Sequence, residues 1–306
     1  MRILVVGAGA VGGYFGGRLL EAGRDVAFLV RPRRAAALER DGLRIRSRFG
    51  DVDIPSPPMV QSGDLREPFD LVILSAKAYD LDGAIDDLAP AAGPETAVLP
   101  LLNGMRHLDV LDERLGRERV LGGTCAIASH VNEAGEVVHL NDIHTLTFGE
   151  RHGSRPARAE AIARVMEGAR FDWRASDAIL LDMWEKWVFL ATLAGATCLM
   201  RAAVGDIIGA PGGAEFVGGL LEECRAIATA RRFPPRPESW SRMAAMVTAP
   251  GSAMTASMLR DIERGSAIEG DHIIGDLLRR ADGIPTPYLR IAYTGLKAYD
   301  ARRARG

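Results

Sequence analysis

Cysteine is scarce in this chain: only Cys125, Cys198 and Cys224 occur. An odd number without C-x-x-C spacing argues against a disulfide framework and a structural zinc site, and it fits a reducing cytosol. Aromatic residues make up only 6% and do not alternate with basic ones, which leaves no stacking platform for single-stranded nucleic acid. Neither sign of charge dominates. With 38 Lys and Arg against 40 Asp and Glu the net charge is −2, and the basic field that nucleic acids or anionic membranes recruit is missing. The uncharged apolar stretches 3–17 and 187–200 are too short to span a bilayer. The N-terminal run is glycine-rich and flows into a helical pattern, so it reads as structure rather than as a signal peptide. A cytoplasmic protein with neither a nucleic-acid nor a membrane partner is expected.

What is present is ordinary globular material, 47% hydrophobic over 306 residues, enough for two domains that each bury a core. The first half alternates apolar runs with amphipathic stretches. Strands are predicted at 2–6, 25–30, 70–75, 97–101 and 120–126, with a helix at 10–22 whose Val11, Tyr14, Phe15, Leu19 and Ala22 recur at helical spacing. A doubly wound α/β sheet follows from that alternation. A hairpin is predicted next, with strands 136–140 and 145–149 turning at Asn141-Asp142. From about residue 175 helical patterns take over, at 177–199, 214–231, 237–248, 257–264, 269–282 and 287–302. The expected domains are 1–173, a dinucleotide-binding α/β domain, and 174–306, an all-helical domain for substrate and dimerisation.

Gly7-Ala8-Gly9-Ala10-Val11-Gly12 follows a predicted strand and opens a predicted helix, the setting that gives a G-x-G-x-x-G match its meaning. Gly7 permits the tight turn, Gly9 lets a pyrophosphate approach the backbone, and Gly12 allows close packing of helix on strand. Free N–H groups at the helix start then serve the phosphates. Where an NAD site carries an acidic residue after the second strand, this chain has Arg31, with Arg33 and Arg34 close by. A guanidinium matches a phosphate in bidentate fashion, so the expected cofactor is NADPH.

Several separate segments carry a resemblance. They are the Gly7 to Gly23 opening, Lys77 within Leu74-Ser75-Ala76-Lys77-Ala78-Tyr79-Asp80, Asn103-Gly104, Trp184-Glu185-Lys186, and Ser257-Met258-Leu259-Arg260-Asp261-Ile262 followed by Glu269. Together the chain resembles the ketopantoate reductase family over nearly its whole length. That resemblance implies a Rossmann-type N-terminal domain, a helical C-terminal domain, and reduction of the 2-keto group of ketopantoate to (R)-pantoate by NADPH, a step of pantothenate biosynthesis. It also implies roles: Lys186 as the catalytic lysine, Glu269 as an active-site glutamate that orients substrate, Ser257 as a substrate-binding serine, and Asn103 and Lys77 at the nicotinamide side of cofactor and substrate.

Chemistry asks for such parts independently. Hydride delivery to a carbonyl builds negative charge on oxygen, and a nearby cation that can also donate a proton answers both needs. Lys186 stands between Trp184 and Trp187, an apolar setting that would lower its pKa. The plainer alternative is an i,i+4 surface pair with Asp182. Glu269 could equally be a helix-start carboxylate, and Ser257 a helix cap.

One departure stands out. Relatives are expected to carry asparagines four and eight residues after the lysine, but this chain has Leu190 and Ala194. Helical spacing puts both on or near the lysine's face, so the pocket loses polar partners unless Thr192 or Thr197 replaces them. A reductase of a more apolar 2-oxo acid or an imine is therefore one rival, and a non-catalytic NADP(H)-binding sensor is another. His130, His139, His144 and His152 cluster without metal-ligand spacing, and no metal is expected. Cys125 and Cys198 lie in apolar runs without a base, as core thiols do. A homodimer is the base-rate expectation for assembly.

Overall fold

A computed structural model describes residues 1–152 and 156–305, with Pro156 described by its backbone alone. Its contacts divide the chain into two units. One comprises Met1–Leu102 and His107–Ile179, the other Asn103–Arg106 and Leu180–Gly306. The division falls at 179/180 rather than at the expected 173/174, because residues 172–175 form a strand that pairs within the first unit.

The first unit is built on a parallel sheet of β1 (Arg2–Val6), β2 (Asp25–Leu29), β5 (Met59–Val60), β6 (Leu71–Leu74) and β7 (Ala97–Pro100), in the order β5-β2-β1-β6-β7. Ile3, Leu4, Val5, Leu71, Val72, Ile73 and Leu74 are fully buried, as expected of strands covered on both faces. Helix α1 (Ala10–Glu21) packs Tyr14, Phe15 and Leu19 into the same core, and α2 (Pro32–Asp41) and α3 (Leu81–Leu88) follow the second and fourth strands of the chain's parallel order. The helix α4 (Arg106–Leu115) comes after β7.

A second, mixed sheet of β3 (Leu43–Arg46), β4 (Val52–Ile54), β8 (Gly122–Val131), β9 (Val137–Gly149) and β10 (Asp172–Ala175) completes this unit, with α5 (Pro156–Met166) ahead of β10. Two expectations are corrected here. The strand expected at 120–126 contributes only a bridge between Val120 and Val98 to the parallel sheet, and its body, β8, pairs antiparallel with β9 instead. The predicted turn at Asn141-Asp142 lies inside a continuous β9. A bulge between Ile127 and Ser129 absorbs the irregularity, Asn141 Oδ1 accepts from the Ala128 N–H at 3.2 Å, and Asp142 pairs with Arg48, so both polar side chains find partners without a turn. The real reversal is at residues 132–136. There Gly135 adopts φ +76° and Asn132 Oδ1 accepts from the Glu136 N–H at 2.8 Å.

Around Phe49 lies an aromatic cluster. His139 and His144 are 7% and 6% exposed, with stacked rings 5.5 Å apart. Phe49 stacks on His144 at 4.0 Å, and the Tyr14 hydroxyl shares a 2.7 Å hydrogen bond with His144 Nδ1. Burial pushes the His144 pKa below its ordinary value; His139 and Arg18 add to the shift, and Asp172 opposes it. A histidine held neutral in the fold takes up its proton more readily when unfolded. Its stabilising contribution is therefore complete above the unfolded value, about 6.5, and is lost as the pH falls below it. The urea midpoint should drop between pH 7.5 and 5.5, and His144→Gln should reduce that drop; an unchanged pH dependence in the variant would exclude His144 as its source.

The second unit contains no strand among its described residues, as the sequence predicts. It comprises α6 (Ile179–Met200, all but its first residue), α7 (Val204–Gly209), α8 (Gly213–Ala230), α9 (Pro237–Val247), α10 (Ser257–Glu263), α11 (Asp276–Arg279) and α12 (Pro287–Arg303). Trp187, Val188, Leu220, Cys224, Ile227, Ile274, Leu277 and Leu289 are at most 1% exposed and form its core. Glu223 of α8 accepts from the Tyr288 and Leu289 N–H groups at 3.0 and 2.8 Å, which caps the start of α12. The helix expected at 269–282 runs over 270–279, opening with a π-helical turn, Asp271–Gly275, that continues into the short α11. Among the described residues, no helix is long and apolar enough to cross a membrane.

Candidate active site and cofactor cradle

The fingerprint occupies the β1–α1 turn of the first unit. Gly7 takes φ +92°, which favours glycine. A Cβ at Gly12 would lie 2.1 Å from the Gly7 carbonyl oxygen and 2.2 Å from Ser75 Oγ, so only glycine fits where α1 meets the strands. At Gly9, nothing lies within 4 Å of an ideal Cβ, and the backbone stands open. Gly9 is also the N-cap of α1 and offers no side chain to the first N–H groups. Those N–H groups, on Ala10, Val11 and Gly12, suit a pyrophosphate.

Beside this turn lies a pocket of about 300 Å³, lined by Gly7, Ala8, Gly9, Val30, Arg31, Arg34, Ala76, Asp80 and Asp87 among others. Arg31, at the N-cap of α2, is exposed and donates to Asp80 Oδ1 at 2.9 Å. Arg34 is half-buried: its Nε donates to the Ala8 carbonyl at 3.0 Å, while Nη2 is buried with no hydrogen-bond partner. Burial lowers its pKa, against the attraction of Asp41. An orphaned guanidinium nitrogen, an open glycine backbone and uncapped helix N–H groups are what a dinucleotide phosphate would occupy, so the residues fit that cofactor. Lys77 is exposed at the N-cap of the 3₁₀ turn Ala78–Asp80, just past the carboxyl end of β6, where ligands of open α/β sheets sit.

The second unit carries the remaining candidates. Asn103, half-buried beyond the end of β7, precedes Gly104 at φ +78°, where a Cβ would come within 3.2 Å of the His272 ring. Lys186 is half-buried on α6, flanked by buried Glu185 and Trp187. Glu269 is 8% exposed, and its carbonyl accepts from the His272 and Ile273 N–H groups at 3.1 and 2.9 Å, opening the π turn. Trp187 Nε1 donates to the Ile273 carbonyl at 2.9 Å. That bond ties the helix of Lys186 to the turn of Glu269. Ser257 is exposed and is the first residue of α10, whose N-cap is Ala256, so the helix-cap alternative for Ser257 does not hold.

Other residues escaped the sequence reading. Buried His272 hydrogen-bonds the Asn103 backbone, and desolvation lowers its pKa against the pull of Glu269 and Asp276. Its signal, a histidine three residues after Glu269, was there to read. Asp182 and Glu185 are both gripped by Arg236 at the N-cap of α9, which raises the arginine's pKa. The suggested replacements for the missing asparagines are already engaged. Thr192 Oγ1 donates to the Val188 carbonyl at 2.9 Å, and Thr197 Oγ1 donates to that of Leu193 at 2.7 Å while accepting from the Ala256 N–H. Among the described residues, no group of three His, Cys, Asp or Glu is placed to hold a metal. All three cysteines are buried, and burial pushes the Cys198 and Cys224 thiols up to about 12, so neither is a thiolate nucleophile at neutral pH.

Two family models match the chain: ketopantoate reductase PanE/ApbA over residues 3–153, and its C-terminal region over residues 178–300. The chain belongs to the ketopantoate reductase family. It is an oxidoreductase of the 2-dehydropantoate 2-reductase type, with the α/β and helical architecture of that family, and its cofactor is a nicotinamide dinucleotide. Among relatives, it is 37% identical to an uncharacterized oxidoreductase, YkpB, from Bacillus subtilis (strain 168), covering 99% of this chain and 100% of that one. A 2-dehydropantoate 2-reductase from Archaeoglobus fulgidus is 28% identical, with 92% of this chain and 91% of the relative covered. The crystal structure of 2-dehydropantoate 2-reductase from Geobacter metallireducens GS-15 superposes with a TM-score of 0.88 at 29% identity, over 97% of this chain and 99% of that one.

Proposed function

We propose that the chain reduces a 2-oxo acid with NADPH, and that family membership puts ketopantoate first among candidates. The observations that carry this reading are, in the first unit, a glycine cradle flanked by Arg31 and Arg34 and, in the second, Lys186 and Glu269 on two segments locked by the Trp187–Ile273 bond. NADPH, when bound, supplies the hydride. Gly7, Gly9, Gly12 and the first N–H groups of α1 would hold its pyrophosphate, and the two arginines its 2′-phosphate. In this reading Lys186 offsets the charge developing on the carbonyl oxygen and gives it a proton. Glu269 and Ser257 orient the substrate, and Asn103 and Lys77 act at the nicotinamide side. The homodimer and the cytoplasm complete the proposal.

A more apolar 2-oxo acid is favoured by one observation. Leu190 and Ala194 follow Lys186 at one- and two-turn spacing, and neither Thr192 nor Thr197 has a spare hydroxyl proton. Following NADPH oxidation across a panel of 2-oxo acids tests both readings. Turnover of at least one acid is expected; faster reduction of ketopantoate supports the first reading, and faster reduction of a branched apolar analogue supports the second. No turnover across the panel would leave the sensor reading. Leu190→Asn, at the half-buried position, should raise kcat/KM for ketopantoate about two- to tenfold, the worth of one recovered hydrogen bond. Efficient wild-type reduction of ketopantoate would show that other groups replace the asparagines.

A further inference from the structure

We propose that Asp80 is a built-in competitor of the cofactor's 2′-phosphate, and that it sets how strongly the chain prefers NADPH to NADH. The inference rests on the NADPH reading of the pocket in the first unit. Four charged side chains line that pocket, Arg31, Arg34, Asp80 and Asp87, and their formal charges cancel. The two cations are not equivalent. Arg34 is fixed, with Nε on the Ala8 carbonyl at 3.0 Å and Nη1 on that of Gly135 at 3.4 Å. Arg31 is an exposed cation already paired with Asp80.

Asp80 stands at the N-cap of α3, the position where an aspartate ordinarily accepts from the first N–H groups of its helix. It makes no such bond. Its carboxylate turns outward to Arg31 Nη2 at 2.9 Å, and an ideal Cβ at Gly83 would lie 3.8 Å from that same nitrogen, so the guanidinium lies over the first turn of α3. A phosphomonoester is close to doubly charged at neutral pH and calls for a guanidinium fork of its own. Arg31 meets Asp80 through Nη2 alone, so whether it keeps that bond or gives it up, a phosphate bound by this guanidinium stands close to the Asp80 carboxylate, whose charge opposes it. The ribose of NADH makes no such demand. Its 2′-hydroxyl can donate to Asp80 while Arg31 stays paired. One carboxylate thus penalises the phosphorylated ribose and accommodates the plain one.

The arginine and aspartate side chains are 61% and 37% exposed, so breaking their bond costs little, and the discrimination comes from repulsion between carboxylate and phosphate. Fluorescence titration of NADPH and NADH onto the whole protein tests this. Asp80→Asn should tighten NADPH about tenfold and move NADH less than about twofold. Asp80→Glu, which keeps the charge, should keep the wild-type ratio. Asp86→Asn is the control, since Asp86 lies on the same helix but pairs with Arg114. It should leave the ratio unchanged. Adenosine 2′,5′-bisphosphate and 5′-AMP should repeat the pattern as competitors, placing the effect at the 2′-phosphate, and melting curves confirm that each variant is folded.

Equal tightening of both cofactors by Asp80→Asn, or an unchanged ratio in a folded variant, overturns the proposal. The two readings separate cleanly. A wild type that binds NADH as tightly as NADPH, with Asp80→Asn shifting toward NADPH, sinks the NADPH reading and upholds the role of Asp80. A wild type that prefers NADPH, with Asp80→Asn indistinguishable from it, does the reverse.

Discussion

Lys186→Ala is expected to lower kcat on an accepted 2-oxo acid by roughly 10²- to 10⁴-fold, the range for a lost general acid. Nicotinamide cofactor binding should barely change, because the glycine cradle and the pocket beside it belong to the other unit. The split between these readouts is what gives the experiment its force. A lysine that merely solubilised the surface of α6 would leave kcat intact. One that held the helix in place would lower stability and affinity together. The half-buried setting of Lys186, among Trp184, Glu185 and Trp187 at 6% exposure or less, is not that of a freely solvated lysine. Pre-steady-state traces of NADPH oxidation would show whether the hydride step itself slows; wild-type rates on the best substrate of the panel would remove Lys186 from the chemistry.

A second large effect is expected in stability. Arg236→Ala should lower the unfolding free energy by about 2–3 kcal/mol, below the range for wholly buried pairs because the arginine side chain is 45% exposed. Asp182 and Glu185 would stay behind at 7% and 6% exposure. Of the contacts that Arg236 gives Glu185, the backbone N–H at 2.7 Å would survive and the side-chain Nε at 2.9 Å would not. Arg236→Lys should recover only a part, since an ammonium cannot fork across two carboxylates. Chemical denaturation at neutral pH checks both variants, and an unfolding curve unchanged in Arg236→Ala would mean that water already serves the two carboxylates.

Where the sequence was legible, one short window carried the whole signal. The runs Ile3 to Val6 and Leu71 to Leu74 are continuous and apolar because both faces are covered, and Gly7 and Gly12 sit where a turn angle or a 2.1 Å approach admits nothing else. β3 was equally readable and went unread. Leu43 and Ile45 are fully buried while Arg44 and Arg46 face outward in strict alternation, but the surrounding charge hid the pattern. The signal at Asn141-Asp142 misled because turn chemistry is local, whereas the partners that keep those residues in a strand, Ala128 and Arg48, arrive from elsewhere in the chain. For the same reason no spacing rule shows Arg236 reaching Asp182 and Glu185, or His272 reaching Asn103. The residues that a resemblance can name were visible; the ones that hold them were not.

The small excursion at Asn103–Arg106 has a consequence for how the molecule can be assembled. These four residues are made long before Leu180 leaves the ribosome, yet their contacts are with the helices that follow it. The helical unit therefore cannot be completed from its own contiguous stretch of chain. A fragment starting at Leu180 would lack the glycine whose backbone lies against His272, and splicing the two units onto other partners at 179/180 would break a unit that is discontinuous in sequence. Exchange of substrate specificity between relatives must carry the loop after β7 along with the helices, or it transplants an incomplete part.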